Sequence, residues 1–211
     1  MDKKYAIFDL DGTLVDSMPF WKELSREYLT AKGVKNIPAD ILERIKPMTV
    51  RESARLFTQE LGLDGTVDSV SAEINHMMGE HYKNDIPIKR GVENYLKKLR
   101  ERGVEMCVAS ATVEPLIDAC LERLGVRHYF DFSLSSDTVG AGKSSPLVYQ
   151  TAAERLGARV EDTAVYEDSL LAATTAKNAG FYLCVVADAA SADSWDRLCG
   201  LADEALESWE I

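Results

Sequence analysis

The chain has 211 residues, enough for one full hydrophobic core and a smaller attached unit, since single domains cluster near ~100–150 residues and cores stop growing near ~250–300. A content of 46% hydrophobic and 28% charged residues excludes intrinsic disorder, and 35 acidic against 24 basic residues leave a formal charge of −11 that repels a nucleic-acid backbone. An anionic ligand would need a local positive site made of a lysine, backbone amides or a bound metal.

Met1-Asp2-Lys3-Lys4 precedes only four apolar residues, too few for the apolar region of a secretion signal, which runs to about 7–15. Phe181 to Ala187, the longest apolar run, falls short of the roughly 20 residues that span a bilayer. Cys107, Cys120, Cys184 and Cys199 are dispersed without metal-ligand spacing and read as reduced core thiols. A cytoplasmic protein that engages neither membrane nor nucleic acid is expected, with a monomer as the default.

Tyr5-Ala6-Ile7-Phe8 reads as a buried strand that stops at the glycine-bearing loop Asp9-Leu10-Asp11-Gly12-Thr13. Residues 17 to about 85 offer helical patterns (Trp21, Leu24, Tyr28; Ile41, Ile45; Leu56, Phe57, Leu61) and no convincing strand. Val92, Tyr95, Leu96 and Leu99 continue with a helix stopped at Gly103, and a strand follows over Glu105 to Ala109. Val113, Leu116, Ile117, Cys120, Leu121 and Leu124 mark one helical face closed by Gly125. Pro146 starts a helix through Leu156-Gly157; a strand over Thr163 to Tyr166, a helix over Leu170 to Ala179 and a strand over Phe181 to Val186 complete the series. Buried strands alternating with helices of about 10–12 residues predict an α/β fold: a doubly wound, Rossmann-like parallel sheet formed by residues 1–16 and 86–211. Residues 17–85 form an inserted all-helical cap, expected above the C-terminal edge of the sheet.

Ligands of an open parallel sheet bind at the carboxyl ends of its strands, and the polar groups of this chain concentrate there. The first strand end supplies Asp9, Asp11 and Thr13, the second Ser110, the loop before Pro146 Lys143, and the strand over 163–166 Glu167 and Asp168. Four carboxylates, a lysine and a serine suit a hard dication beside a phosphate group. In-line attack on phosphorus needs a nucleophile and a proton donor, tasks that Asp9 and Asp11 can divide. Each residue alone has a plainer reading. Ser110 could open the following helix, Lys143 could be a solvated loop lysine, and Ser17 reads as an N-cap before Met18-Pro19 with Asp16 favourable beside it. His76, His81 and His128 lack metal spacing and read as surface or cap residues.

In the order Asp9-Leu10-Asp11-Gly12-Thr13, Ser110, Lys143 and Glu167-Asp168-Ser169, these residues resemble the four motifs of the haloacid dehalogenase superfamily of phosphatases, over essentially the whole chain. The branch most similar is the one of β-phosphoglucomutase and phosphoglycolate phosphatase, with a helical cap after the first motif. The resemblance implies a phosphoaspartyl intermediate on Asp9, acid/base catalysis by Asp11, and phosphate held by Thr13, Ser110 and Lys143. It further implies Mg2+ bound by Asp9, the Asp11 backbone carbonyl and Asp168, with Glu167 direct or through water. A phosphatase of small phosphorylated metabolites is therefore expected, with substrate entering between core and cap and with Trp21, Lys46, Thr49 and Arg51 as cap contacts. A dehalogenase would need neither Asp11 nor the Glu167-Asp168 pair. A sugar phosphomutase would carry a cap arginine and a first-cap-helix histidine where this chain has Val50 and Trp21, although Arg51 lies one residue away. A non-catalytic phosphate-binding protein shares the architecture, but no member of the catalytic set is missing here.

Overall fold

The computed structural model describes residues 2–45 and 48–210. In chain order the elements are β1 (Tyr5–Phe8), α1 (Met18–Ala31), α2 (Ala39–Ile45), α3 (Val50–Glu60), α4 (Val67–Asn84), α5 (Val92–Glu101), β2 (Glu105–Ser110), α6 (Glu114–Arg123), β3 (Phe132–Ser135), α7 (Ser136–Val139), α8 (Leu147–Arg155), β4 (Thr163–Glu167), α9 (Leu170–Asn178), β5 (Tyr182–Val186), α10 (Trp195–Leu201) and β6 (Glu204–Leu206). They fall into two compact units. One is formed by the chain up to Ser17 together with the chain from Ile86 onward, the other by Met18–Asp85.

The first unit is an α/β sheet of six parallel strands in the order β3-β2-β1-β4-β5-β6. The order in which strands are added reverses between β1 and β4, which opens the crevice where ligands of such sheets bind. Burial drives this arrangement: Ala6, Ile7 and Phe8 of β1, Met106 to Ala109 of β2 and Ala164 to Tyr166 of β4 are fully enclosed, as strands covered on both faces must be. Register then sets the site. Phe8 lies level with Val108 and Tyr166, so the residues that follow each of them emerge side by side.

Two strands were not expected from the sequence. β3 is Phe-Ser-Leu-Ser, whose alternation suggests a half-exposed strand, yet all four residues are buried. β6 is only three residues long and lies at the sheet edge, too short to leave a periodic signal. Cys107, Cys120 and Cys184 are buried, whereas Cys199 is exposed and departs from the core-thiol expectation. Its neighbour Leu198 takes the buried face of α10, and one helical step of about 100° turns Cys199 away from it.

Among the described residues of the second unit the regular elements are all helices. α1 buries Leu24, Tyr28 and Leu29, α3 buries Ala54, Leu56 and Phe57, and α4 buries Val70, Ile74, Met78 and Tyr82. Thr49 and Thr66 begin α3 and α4 with reciprocal capping boxes, each threonine side chain accepting from the backbone three residues on. Trp21 on α1 donates its indole N–H to the Tyr82 hydroxyl at 3.3 Å, tying α1 to α4.

Candidate active site

Asp9 is the first residue beyond β1, and its backbone N–H still pairs with the Tyr166 carbonyl at 3.0 Å. That bond continues the sheet for one more step and sets the Asp9 carboxylate beside the end of β4. Glu167 ends β4 and Asp168 follows it. All three carboxylates are buried, and each offers an oxygen within 4.8 Å of the others. The Lys143 ammonium, carried by the segment between α7 and α8, bonds Asp9 Oδ1 and Glu167 Oε1, the latter at 2.6 Å. Glu167 Oε1 also accepts from the Tyr149 hydroxyl at 2.6 Å, and Asp168 Oδ1 accepts from the Thr13 hydroxyl at 3.0 Å.

Three enclosed carboxylates against one ammonium leave excess negative charge in a region of low dielectric. The consequences are visible in proton affinity. Burial pushes the Asp9 carboxyl well above its ordinary range, with Glu167 adding to the rise and Lys143 opposing it. Asp168 is pushed up to about 7, first by burial and then by Glu167, while the Thr13 hydroxyl works the other way. Burial alone would lower the Lys143 pKa, but Asp9 and Glu167 outweigh it, so the lysine stays charged.

This donor set fits a hard dication. The ligand atoms are all carboxylate oxygens, and Glu167 Oε2 is buried without a hydrogen-bond partner, an arrangement that is costly unless a cation or water completes it. The glycine of the loop fits the same purpose. Gly12 has φ +78, and a Cβ there would come within 2.4 Å of Asp168 Oδ2, so any side chain would push into the carboxylate cluster.

Asp11 belongs to an adjoining cluster. Its Oδ1 accepts from the Ser17 hydroxyl at 2.7 Å, and its Oδ2 accepts from Thr112 Oγ1 at 2.8 Å and from Ser110 Oγ at 3.4 Å. Ser110 Oγ in turn accepts the Thr112 N–H at 3.0 Å, while the helix proper starts only at Glu114, with Val113 at the cap position. Ser110 is thus bound into the Asp11 cluster instead of capping α6.

Asp9, Thr13, Lys143, Glu167 and Asp168 therefore meet in one cluster, and Asp11 and Ser110 in the next. The Thr13 hydroxyl is fully enclosed and directed at Asp168. Ser17, read from sequence as an N-cap, does immediately precede α1, but its hydroxyl goes to Asp11. Thr112 and Tyr149 went unnoticed in the sequence. Thr112 could have been suspected from its place two residues after Ser110. Tyr149 left no signal beyond an aromatic residue on the buried face of its helix.

Of the residues expected to meet substrate from the helical unit, Thr49 is the N-cap of α3 and Arg51 pairs with Asp68. Lys46 lies outside the described residues. His81 bridges Glu27 and Asp85 at 2.9 and 2.8 Å within that unit.

A family model for haloacid dehalogenase-like hydrolases matches residues 3–180. The chain is 27% identical over 175 residues to a phosphorylated carbohydrates phosphatase of Thermotoga maritima, covering 83% of this chain and 81% of that protein. It is 29% identical over 182 residues to a phosphoglycolate phosphatase of Neisseria meningitidis, covering 82% and 75%. In structure it is similar to a candidate β-phosphoglucomutase of Thermotoga maritima, with a TM-score of 0.81 at 25% identity over 98% of this chain and 95% of that one. The motif order, the six-stranded sheet and the match over most of its length agree, and the chain belongs to the haloacid dehalogenase-like hydrolases.

Proposed function

We propose that this protein is a Mg2+-dependent phosphatase of a small phosphorylated metabolite and works through a phosphorylated Asp9. The observation that carries this reading is the buried grouping of Asp9, Glu167 and Asp168 with the Lys143 ammonium shared between Asp9 and Glu167. The Asp9 and Asp168 side chains and the Asp11 carbonyl would hold the ion, with Glu167 direct or through water. When bound, the dication supplies positive charge against the phosphoryl oxygens.

In the first half-reaction an Asp9 carboxylate oxygen attacks phosphorus, and the bond from phosphorus to the leaving oxygen breaks. Asp11 passes its proton to that oxygen, so the alcohol departs neutral. In the second half, Asp11 takes a proton from a water that attacks the phosphorylated Asp9. The bond between Asp9 and phosphorus breaks, inorganic phosphate leaves, and both aspartates return to their starting states. Ser110, Lys143 and the Thr13 amide hold the phosphoryl oxygens, while the Thr13 hydroxyl orients Asp168. Small substrates are favoured by the relatives, whose names specify phosphorylated carbohydrates and phosphoglycolate. A charge of −11 disfavours nucleic acid as a partner, and the proposed setting is the cytoplasm, with the protein a monomer. Among the described residues no helix is long and apolar enough to cross a membrane.

The test is a panel of phosphate esters, with p-nitrophenyl phosphate as the generic member, run with and without Mg2+ on wild type and Asp9→Asn. Mg2+-dependent phosphate release should fall more than about a thousand-fold in the variant, the scale expected on removal of a covalent nucleophile. Turnover that survives the substitution would remove Asp9 from the role. The likeness to a candidate β-phosphoglucomutase favours a second reading as a sugar phosphomutase. Against it, Val50 and Trp21 stand where such mutases carry a cap arginine and a first-cap-helix histidine. Incubation with a hexose 1-phosphate and its bisphosphate separates the two: a mutase yields the 6-phosphate isomer, a phosphatase free phosphate.

A further inference from the structure

Trp209 lies beyond the matched stretch of the family model, which ends at residue 180, yet it packs directly beneath the candidate active site. Its side chain is buried, at 3% exposure, and its indole N–H donates to the Thr13 carbonyl at 3.1 Å across 196 positions of sequence. The ring lies 5.7 Å from Tyr166 and 6.2 Å from Phe8, the residues that immediately precede Glu167 and Asp9. Tyr95 closes the cluster edge-on at 4.9 Å and shares a hydrogen bond with Tyr166 through the two hydroxyls at 2.8 Å.

The segment carrying Trp209 is held in place from outside the ring. Gly91, at the start of α5, has φ +92, and a Cβ there would meet the Trp209 carbonyl carbon at 2.8 Å and its oxygen at 2.9 Å. Arg90 and Glu210 pair at 2.8 Å on either side of this contact. A plug that merely filled space beneath the strands would need only an apolar ring. Here the polar edge of the ring meets a carbonyl of the very residue whose hydroxyl orients Asp168 at 3.0 Å.

We propose that Trp209 is a positioning residue of the active site: its indole N–H fixes the Thr13 carbonyl and thereby the Thr13 hydroxyl that orients Asp168. The loop-fixing role stands on geometry alone, and only its consequence for metal binding rests on the phosphatase reading. Trp209 acts through Thr13 and touches neither substrate nor metal.

Trp209→Phe retains an aromatic ring in the cluster and deletes the N–H. In the metal-free full chain, hydrogen exchange over residues 10–15 should speed about five-fold, the scale of one hydrogen bond. Mg2+ titrated calorimetrically into the protein without substrate should bind about ten-fold more weakly, as when outer-shell partners of a ligand are lost. In a Thr13→Val background, Trp209→Phe should add little further loss of Mg2+ affinity, because the link runs through the deleted hydroxyl. A purely structural role would not give that dependence on background. Unchanged exchange over residues 10–15, or an equal affinity loss in both backgrounds, overturns the proposal. Should Trp209→Phe fail to fold, benzothienylalanine at position 209 keeps the bicyclic shape without the donor and is read in the same way. If wild type neither binds Mg2+ nor hydrolyses any ester, the phosphatase reading fails on its own, and exchange over residues 10–15 alone decides the role of Trp209.

Discussion

Lys143 lies between two carboxylates whose own repulsion it offsets, and its side chain is only 12% exposed. Removing one partner of a buried charge pair leaves the rest uncompensated, at a cost of about 3–5 kcal/mol. Lys143→Met should therefore destabilise the metal-free protein by about 3 kcal/mol in urea unfolding, and it should abolish Mg2+-dependent phosphate release. An unchanged unfolding midpoint would show that Lys143 does not stabilise the cluster. The charged members of this site were legible in the sequence because they stand at strand ends and in a recognisable order along the chain. Of their hydroxyl partners, Thr13 and Ser110 were legible in the same way and three others were not. Ser17, Thr112 and Tyr149 belong to residue types with many ordinary uses, and only the carboxylate each one faces marks it out.

Each element that delivers a site residue ends where its apolar run ends, so strand termini at Phe8, Ser110 and Glu167 could be read within a residue or two. β3 and β6 escaped for opposite reasons: β3 buries serines that its pattern assigns to solvent, and β6 is too short for any pattern. In the helical unit, local chemistry is the stronger guide to boundaries. Thr49 caps α3 through the Glu52 backbone, and Glu52 returns the bond to the Thr49 N–H at 2.8 Å. Thr49→Ala should cost that unit about 1 kcal/mol, measured by chemical denaturation followed through helical circular dichroism. A loss below about a tenth of that value would mean that α3 is held by tertiary packing alone. The Thr49 side chain, expected to touch substrate, accepts from the Glu52 N–H, a role the Thr-x-x-Glu spacing already announces.

At the scale of the molecule, enclosing three carboxylates in a chain of net charge −11 carries a cost that depends on pH. Asp168 is raised from 3.8 to about 7 by burial and then by Glu167, so between these values the folded protein holds more protons than the unfolded chain. Stability of the metal-free protein should therefore fall as pH rises from about 5 to about 7, with Asp9 acting in the same direction. Thermal melts in a chelator across that range check the sign, and the Asp168→Asn variant should show a shallower slope. His81, raised despite burial by its bonds to Asp85 and Glu27, also loses stabilising charge as pH climbs, which is why the difference between wild type and variant is the decisive quantity. What the amino-acid sequence determined unaided was the alternation of buried strands and helices, the helical insertion and the residue types at strand ends, because these follow from local periodicity and motif order. Only the tertiary structure decided the strand order, the division of the site into a carboxylate–lysine cluster and an Asp11–hydroxyl cluster, and the contact of Trp209 with Thr13. Those depend on which segments lie side by side after folding, and contacts between residues more than a hundred positions apart leave no trace in local pattern.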